Sequence, residues 1–266
     1  MTKIKHIFSD LDGTLLDDQG RISKVNQQTI ETCPIPFSLV SARTPQAMEE
    51  IIKQLDLESP QVAFNGGLIF DKKGIIKAET LDYEKVKNLI DQIKKIQPKV
   101  NISFYTLENW YIERMSEEIR QEMNFTPQIP KLVDFTDQLK KEKRSKIFKL
   151  LLIIPEEKML EEVKKELEAL NIPEIVIQKT WESYLEITAI GAQKSTAISY
   201  IAKINHLKKA ELAAFGDNEN DISMLEVVDM PIVMGNASDK VKKVGKFITK
   251  KNSDDGVAYG IEKYIY

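Results

Sequence analysis

Ile4-Lys5-His6-Ile7-Phe8-Ser9-Asp10-Leu11-Asp12-Gly13-Thr14-Leu15-Leu16 is the stretch on which the reading of this chain turns. Its apolar run around Ile7 and Phe8 has the character of a buried strand, and the run stops at two carboxylates, a glycine and a threonine. Side chains two apart on an extended backbone share a face, so Asp10 and Asp12 start close together, and Gly13 permits the tight turn that follows. At about 4 Å and an effective dielectric near 20, two carboxylates repel by about 4 kcal/mol. A strand that delivers such a pair to its end must find a cation or give up a charge.

Outward from this stretch, residues 24–32 suit a helix that Pro34 and Pro36 terminate, and residues 37–40 read as a second buried strand closing in Ser41-Ala42-Arg43. Thr44-Pro45 is a helix start, a cap followed by proline in the first turn, and it leads into Met48, Ile51, Ile52 and Leu55 at helical spacing. Residues 62–64 read as a third strand, which Asn65-Gly66-Gly67 turns into the apolar run 68–70, either as a plain hairpin turn or as part of a site. Strand, helix, strand, helix, strand is the rhythm of a parallel sheet with crossover helices.

The rhythm changes near Asp82. Val86, Leu89, Ile90 and Ile93 mark an amphipathic helix, and 102–105 with 110–113 read as a strand pair around Glu108-Asn109. A helix over 116–123 leads into a loop bearing Pro127 and Pro130, and the lysine-rich run 140–146 reads as a solvated connection. Strands over 146–154, 175–178 and 184–187 flank a helix over 156–170, which predicts an α+β module with one helical face. From about Gly191 the first rhythm returns. A helix over 193–206 precedes the strand Leu212-Ala213-Ala214-Phe215, which ends in Gly216-Asp217-Asn218-Glu219-Asn220-Asp221, and further strands lie at 231–234 and 247–249 before a closing helix over 256–264. The expected organisation is a Rossmann-like α/β core with a parallel sheet, residues 1–81 and 187–266, interrupted by an inserted α+β domain over 82–186, with a ligand site in the cleft between them.

The chain has 266 residues, 42% of them hydrophobic and 30% charged, which is ordinary for a water-soluble protein with ample core. A net charge of −3 gives no basic surplus for nucleic acid or an anionic membrane. The longest apolar run, residues 150–154, is far too short to span a bilayer, and no signal peptide precedes Asp10, so the expected location is the cytoplasm. Oligomeric state is not written in the sequence, and a monomer or weak dimer is the expectation. The single cysteine, Cys33, cannot form an internal disulfide and reads as a packing residue. His6 and His206 have no zinc spacing and read as structural. Trp110, Tyr111, Trp181 and Tyr184 read chiefly as core aromatics of the inserted module.

In parallel sheets ligands bind beyond the carboxyl ends of the strands, which brings Asp10, Asp12, Ser41, Asn65 and Asp217 toward one place. Asp217 and Asp221 complete an oxygen-rich set suited to Mg²⁺, a hard ion held by few carboxylates together with substrate phosphate. A phosphoryl group needs a hydroxyl donor, backbone amides and a cation, and Ser41 and Lys194 supply the first and last of these.

Asp10-Leu11-Asp12-Gly13-Thr14, Ser41, Lys194 and Gly216-Asp217-x-x-Asn220-Asp221, in that order, resemble the four motifs of the haloacid dehalogenase superfamily of phosphatases. The large insert after the second motif, Asn65-Gly66-Gly67 before it, and Met234-Gly235-Asn236-Ala237 and Asp255-Gly256-Val257 near the end are similar to the Cof-type subgroup. The resemblance implies a mobile cap of the second type that closes over substrate, and hydrolysis of small-molecule phosphate esters, sugar phosphates favoured, in two steps. It implies Asp10 as the nucleophile and Asp12 as the acid and base. It implies Mg²⁺ held by Asp10, the main-chain carbonyl of Asp12 and Asp217, with Asp221 supporting. Ser41, Lys194 and Asn220 would bind phosphate, with Ala42, Arg43 and Asn65 as further phosphate- and substrate-binding candidates. Two departures stand out: Ala42 where many relatives carry glycine, and Ser195 after Lys194 in place of the common glycine. A phosphomutase, with Arg114, Arg120 or Arg144 at a second phosphate subsite, and a non-hydrolytic phosphate-responsive module are the alternatives.

Overall fold

A computed structural model of the chain describes residues 3–123, 126, 128–142 and 145–266; Pro127, Arg144 and the side chain of Trp181 lie outside the described part. The chain opens with β1 (His6–Ser9), α1 (Lys24–Thr32), β2 (Phe37–Leu39), α2 (Pro45–Gln54), β3 (Gln61–Ala63), β4 (Leu68–Asp71) and β5 (Gly74–Ala78). It continues through α3 (Tyr83–Ile96), β6 (Asn101–Thr106), β7 (Trp110–Ile112), α4 (Glu117–Glu122), β8 (Lys131–Leu132), α5 (Phe135–Lys141), β9 (Ile147–Ile153), α6 (Glu157–Ala169), β10 (Ile175–Trp181) and β11 (Tyr184–Ala189). It ends with α7 (Lys194–Ile204), β12 (Leu212–Gly216), α8 (Ile222–Glu226), β13 (Met230–Val233), α9 (Asp239–Lys242), β14 (Phe247–Ile248) and α10 (Gly256–Gly260). Two compact units emerge: one from residues up to Thr44, Met48–Ala78 and Gln193–Tyr266, the other from Pro45–Ala47 and Glu79–Ala192.

The first unit is built on a parallel sheet of order β14-β13-β12-β1-β2. β1 is central because both its faces are apolar enough to be covered: Ile7 and Phe8 are wholly buried, as are Ala213, Ala214 and Phe215 on the neighbouring β12. Its register sets Ser9 opposite Leu39 on one side and Phe215 on the other, so three chains leave the sheet side by side. α1 is capped by Ser23, whose hydroxyl accepts from Asn26 N–H, and it ends where Pro34 forbids continuation.

The third strand departs from expectation. β3 pairs antiparallel with β4, and β4 with β5, in a separate small sheet, and it touches the parallel sheet through a single bridge from Val62 to Val40. The Gln61 side chain explains the interruption: its Oε1 takes the Leu39 N–H at 2.7 Å, the donor that a continuing ladder would have used. The turn after β3 is not a plain hairpin either. Phe64, Asn65 and Gly66 have φ of 53°, 54° and 104°, three left-handed residues in a row. For a bulky residue such as phenylalanine this costs about 1–3 kcal/mol. Complete burial of Phe64 and bonds from Phe64 N to Arg43 O (3.0 Å) and Asn65 N to Ser41 O (2.8 Å) hold it there.

The second unit carries a sheet of order β10-β11-β9-β6-β7-β8, antiparallel except for the β7–β8 pair. Strand alternation gives it two unlike faces. Ile102, Phe104, Leu150, Leu152, Leu185 and Ile187 form one core with the apolar stripes of α3, α5 and α6. The other face carries Ser103, Tyr105, Lys149 and Glu186, all buried. α5 is absent from the expectation, which placed a loop and a solvated connection there. Asp134 caps it by accepting from Asp137 N–H at 3.0 Å, and Phe135 and Leu139, one turn apart, bury against the core. Trp110 and Tyr111 are buried too, so they pack. Among the described residues no helix is long and apolar enough to cross a membrane.

Candidate active site

Asp10 follows directly on β1, and its N–H bonds to Phe215 O at 3.0 Å, which carries the ladder one residue past the strand. Its carboxylate is buried and turned toward Lys194, the first residue of α7. Lys194 Nζ lies 2.6 Å from Asp10 Oδ1 and 2.7 Å from Asp221 Oδ1. The second oxygen of Asp221 accepts from the N–H groups of Asp217 and Asn218, both at 2.9 Å, and so folds the loop after β12 around itself. Asp217 Oδ1 accepts from Thr14 Oγ1 at 2.7 Å. Gly13, at φ 78°, is irreplaceable on two counts: its backbone is left-handed, and a Cβ there would overlap the Asp217 carboxylate.

Carboxylate oxygens of Asp10, Asp217 and Asp221 lie within 4.8 Å of one another. Burial, then the Asp221 charge, push the Asp10 carboxyl well above the usual carboxylate range, against the pull of Lys194. Burial and Asp221 likewise push Asp217 up to about 7, against the Thr14 hydrogen bond. For Lys194, burial disfavours the charge, but Asp10 and Asp221 outweigh it and hold the ammonium protonated beyond the ordinary lysine range. Three carboxylates around one lysine leave an excess of negative charge, and an all-oxygen donor set of this kind fits a hard divalent cation.

Ser41 is buried two residues past β2, with its N–H on Val62 O at 3.0 Å. Its Oγ accepts from Arg43 N–H at 3.1 Å, which leaves the hydroxyl proton to be donated. Ala42 is half-buried beside it and offers main-chain groups. Asn220 Nδ2 donates to Asn65 Oδ1 at 3.3 Å, joining the strained turn to the loop after β12. The Asn220 Oδ1 is buried with no hydrogen-bond partner among the described residues, a polar atom that a ligand or water would satisfy.

Asp12 is the exception. Its carboxylate stands apart from the three that gather at Lys194 and forms a two-point ion pair with Arg43. Arg43, expected beside phosphate, is engaged by a carboxylate. Thr14 and Asn236 hold the site although the sequence reading assigned them no role. Asn236 Nδ2 donates to Gly13 O at 2.8 Å and approaches Asp217 Oδ2 at 3.5 Å. Its signal was available: Gly235-Asn236-Ala237 follows β13, a further parallel strand ending on the same side.

A model of the haloacid dehalogenase-like hydrolase family matches residues 7–261. The 5-amino-6-(5-phospho-D-ribitylamino)uracil phosphatase YwtE of Bacillus subtilis is 29% identical over 289 residues, 98% of each chain. Among solved structures, the Thermotoga maritima protein TM0651 superposes with a TM-score of 0.84 at 29% identity, over 98% of this chain and 97% of that one. A haloacid dehalogenase-like hydrolase from Bacteroides thetaiotaomicron superposes at 0.87 with 26% identity, over 98% and 99%.

Proposed function

Because this chain belongs to the haloacid dehalogenase-like hydrolase family and is a phosphoric monoester hydrolase, we propose that it cleaves small sugar and polyol monophosphates through a phosphate carried on Asp10. The observation that supports this most directly is the group of Asp10, Asp217 and Asp221, buried at its first and last members, with the Lys194 ammonium among them. That group holds negative charge which folding alone disfavours and which a cation would offset. The donor set suits Mg²⁺, with Asp10, the Asp12 carbonyl and Asp217 as its ligands and Asp221 behind them. Bound there, it would supply positive charge against the phosphoryl oxygens.

In the first step an Asp10 oxygen bonds to phosphorus while the ester P–O bond breaks. The bonding pair goes to the leaving oxygen, which takes the proton of the Asp12 carboxyl. In the second, water attacks the phosphorus and gives a proton to Asp12, and the bond from phosphorus to Asp10 breaks to restore the carboxylate. Ester and water become alcohol and phosphate, and Asp12 ends as it began. The Ser41 hydroxyl, the Lys194 ammonium and the Asn220 amide bind the phosphoryl oxygens, with Ala42 and Asn65 lining their approach.

The Bacillus subtilis relative is named for a phosphate on a ribityl chain, which favours open-chain polyol phosphates within the substrate class. A phosphomutase is less well supported. Arg114 Nε donates to Asn101 Oδ1 at 3.0 Å and Arg120 pairs with Glu117 at 3.7 Å, while Arg144 lies outside the described residues. The test is a hydrolysis panel of sugar and polyol phosphates, nucleotides and pyridoxal phosphate, run with Mg²⁺, with chelator, and with Asp10→Asn. Rates are expected to collapse in the last two conditions, by more than about 10³-fold for Asp10→Asn. Activity that persists in Asp10→Asn overturns the mechanism, and dependence on a bisphosphate activator restores the mutase.

A further inference from the structure

Asp12 and Arg43 meet with more geometry than an ion pair at this exposure requires. Arg43 Nε–H donates to Asp12 Oδ2 at 2.8 Å and Nη2–H to Oδ1 at 2.6 Å. The two side chains are 20% and 40% exposed, a setting in which a salt bridge adds little to stability. Two parallel bonds from a planar fork nevertheless fix where a carboxylate lies, which way it faces and how its plane is turned; a lysine would fix only the first. The arginine is itself anchored on both sides of its Cα. Its N–H donates to Ser41 Oγ at 3.1 Å, and its carbonyl accepts the Phe64 N–H at 3.0 Å, which ties it to the strained left-handed turn.

We propose that Arg43 is a positioning residue that orients the Asp12 carboxyl for proton transfer, and that it is not a ligand of the phosphate. The proposal rests on the reading of Asp12 as the proton carrier. Each carboxylate oxygen keeps a second lone pair when the fork occupies the first, so the pair leaves a place for the travelling proton. Proton transfer needs donor and acceptor heavy atoms within about 2.6–3.2 Å, and a misplacement near 1 Å costs about 10²-fold, so orientation is where an arginine in this place acts.

The two halves of the reaction separate this role from phosphate binding. For a covalent mechanism kcat/KM reports the steps up to release of the alcohol, where Asp12 gives a proton to the leaving oxygen. An alkoxide needs that proton and p-nitrophenolate does not. Arg43→Ala is therefore expected to lower kcat/KM on a hexose 6-phosphate by about 10²-fold and on p-nitrophenyl phosphate by less than about fivefold. Arg43→Lys, which keeps charge without the fork, recovers a part. Arg43→Gln, which keeps the stem, shows the same split and guards against a loosened turn in the alanine variant. Asp12→Asn shows the split too, and adding Arg43→Ala to it costs nothing more. An equal loss on both substrates in Arg43→Ala, carried in KM and additive with Asp12→Asn, makes Arg43 a phosphate ligand and overturns the proposal. A split in Asp12→Asn without one in Arg43→Ala also overturns it but leaves Asp12 as the proton carrier. No split in Asp12→Asn removes that underlying reading, and the proposal falls with it.

Discussion

Among the described residues two lysines are almost wholly buried, and they are buried on different terms. Lys149, in the sheet of the second unit, meets Glu186 at 2.7 Å and lies 4.9 Å over the ring of Tyr105; the side chains of the ion pair are 8% and 4% exposed. Lys194, at the start of α7, stands between Asp10 and Asp221 with Asp217 close by, at 1% exposure. In the first pair a positive charge is balanced by a negative one, the arrangement by which a fold tolerates buried charge. In the second place carboxylates outnumber the lysine, and the protonation of Asp10 and Asp217 is pushed upward. A fold selected for stability alone has no use for that excess. The proposed site for a metal cation, with a phosphate beside it, would use it.

The balanced pair responds most strongly to the removal of one member. Lys149→Met alone removes the cation paired with the buried Glu186 and is expected to cost about 3–5 kcal/mol in urea unfolding, whereas Lys149→Met with Glu186→Leu recovers most of it. A small loss in the single variant would show that the charge of Glu186 does not depend on Lys149 for its balance.

His6 is another buried titratable group, and it avoids the problem by staying neutral. Burial lowers it from 6.5 to about 4, and its Nε2 sits 2.8 Å from Ser38 Oγ. The unfolded chain therefore binds the proton more readily than the folded one. The stability involved is fully present above pH 6.5 and is lost as the pH falls toward 4, to an extent of about 3 kcal/mol. Urea unfolding of the protein and of His6→Gln at pH 7 and pH 4 checks this: the gap between them should change by that amount, and parallel pH curves would refute it.

A smaller effect tests the unbalanced site. Mg²⁺ at about 100 times its Kd is expected to raise the unfolding free energy by about 2.7 kcal/mol. Asp217→Asn should abolish that rise while making the metal-free protein more stable, and Glu186→Gln should leave the rise intact. Differential scanning calorimetry with Mg²⁺ and with chelator reads all three.

Much of this was legible without coordinates, and the reason is local. α1 forms over the residues its pattern marks, between a serine cap and a proline stop, and α3 follows Asp82, whose carboxylate accepts from Glu84 and Lys85 N–H. Apolar runs ending in polar residues pointed to Asp10, Ser41 and Asp217, because a parallel sheet brings its strand ends together whatever joins them. What escaped was decided across the chain. α5 is too short for its period to show, with Phe135 and Leu139 as its buried pair. β3 looked like one more parallel strand until the Gln61 side chain took the Leu39 donor. Nothing local to Arg43 says that its guanidinium reaches the Asp12 carboxylate.

Residue order alone marked most of the strands and helices, a parallel core with acids at its strand ends, and the residue types which that chemistry would have to hand. Which oxygen faces which cation is a product of folding: Lys194 goes to Asp10 and Asp221, Thr14 and Asn236 fasten Asp217 and its turn, and Asp12 is gripped by Arg43. Hydrophobic period and capping act within a turn or two of the chain, so a sequence displays them. Pairing of buried charges depends on sheet register and on loops drawn from segments far apart, and it exists only once those segments have packed.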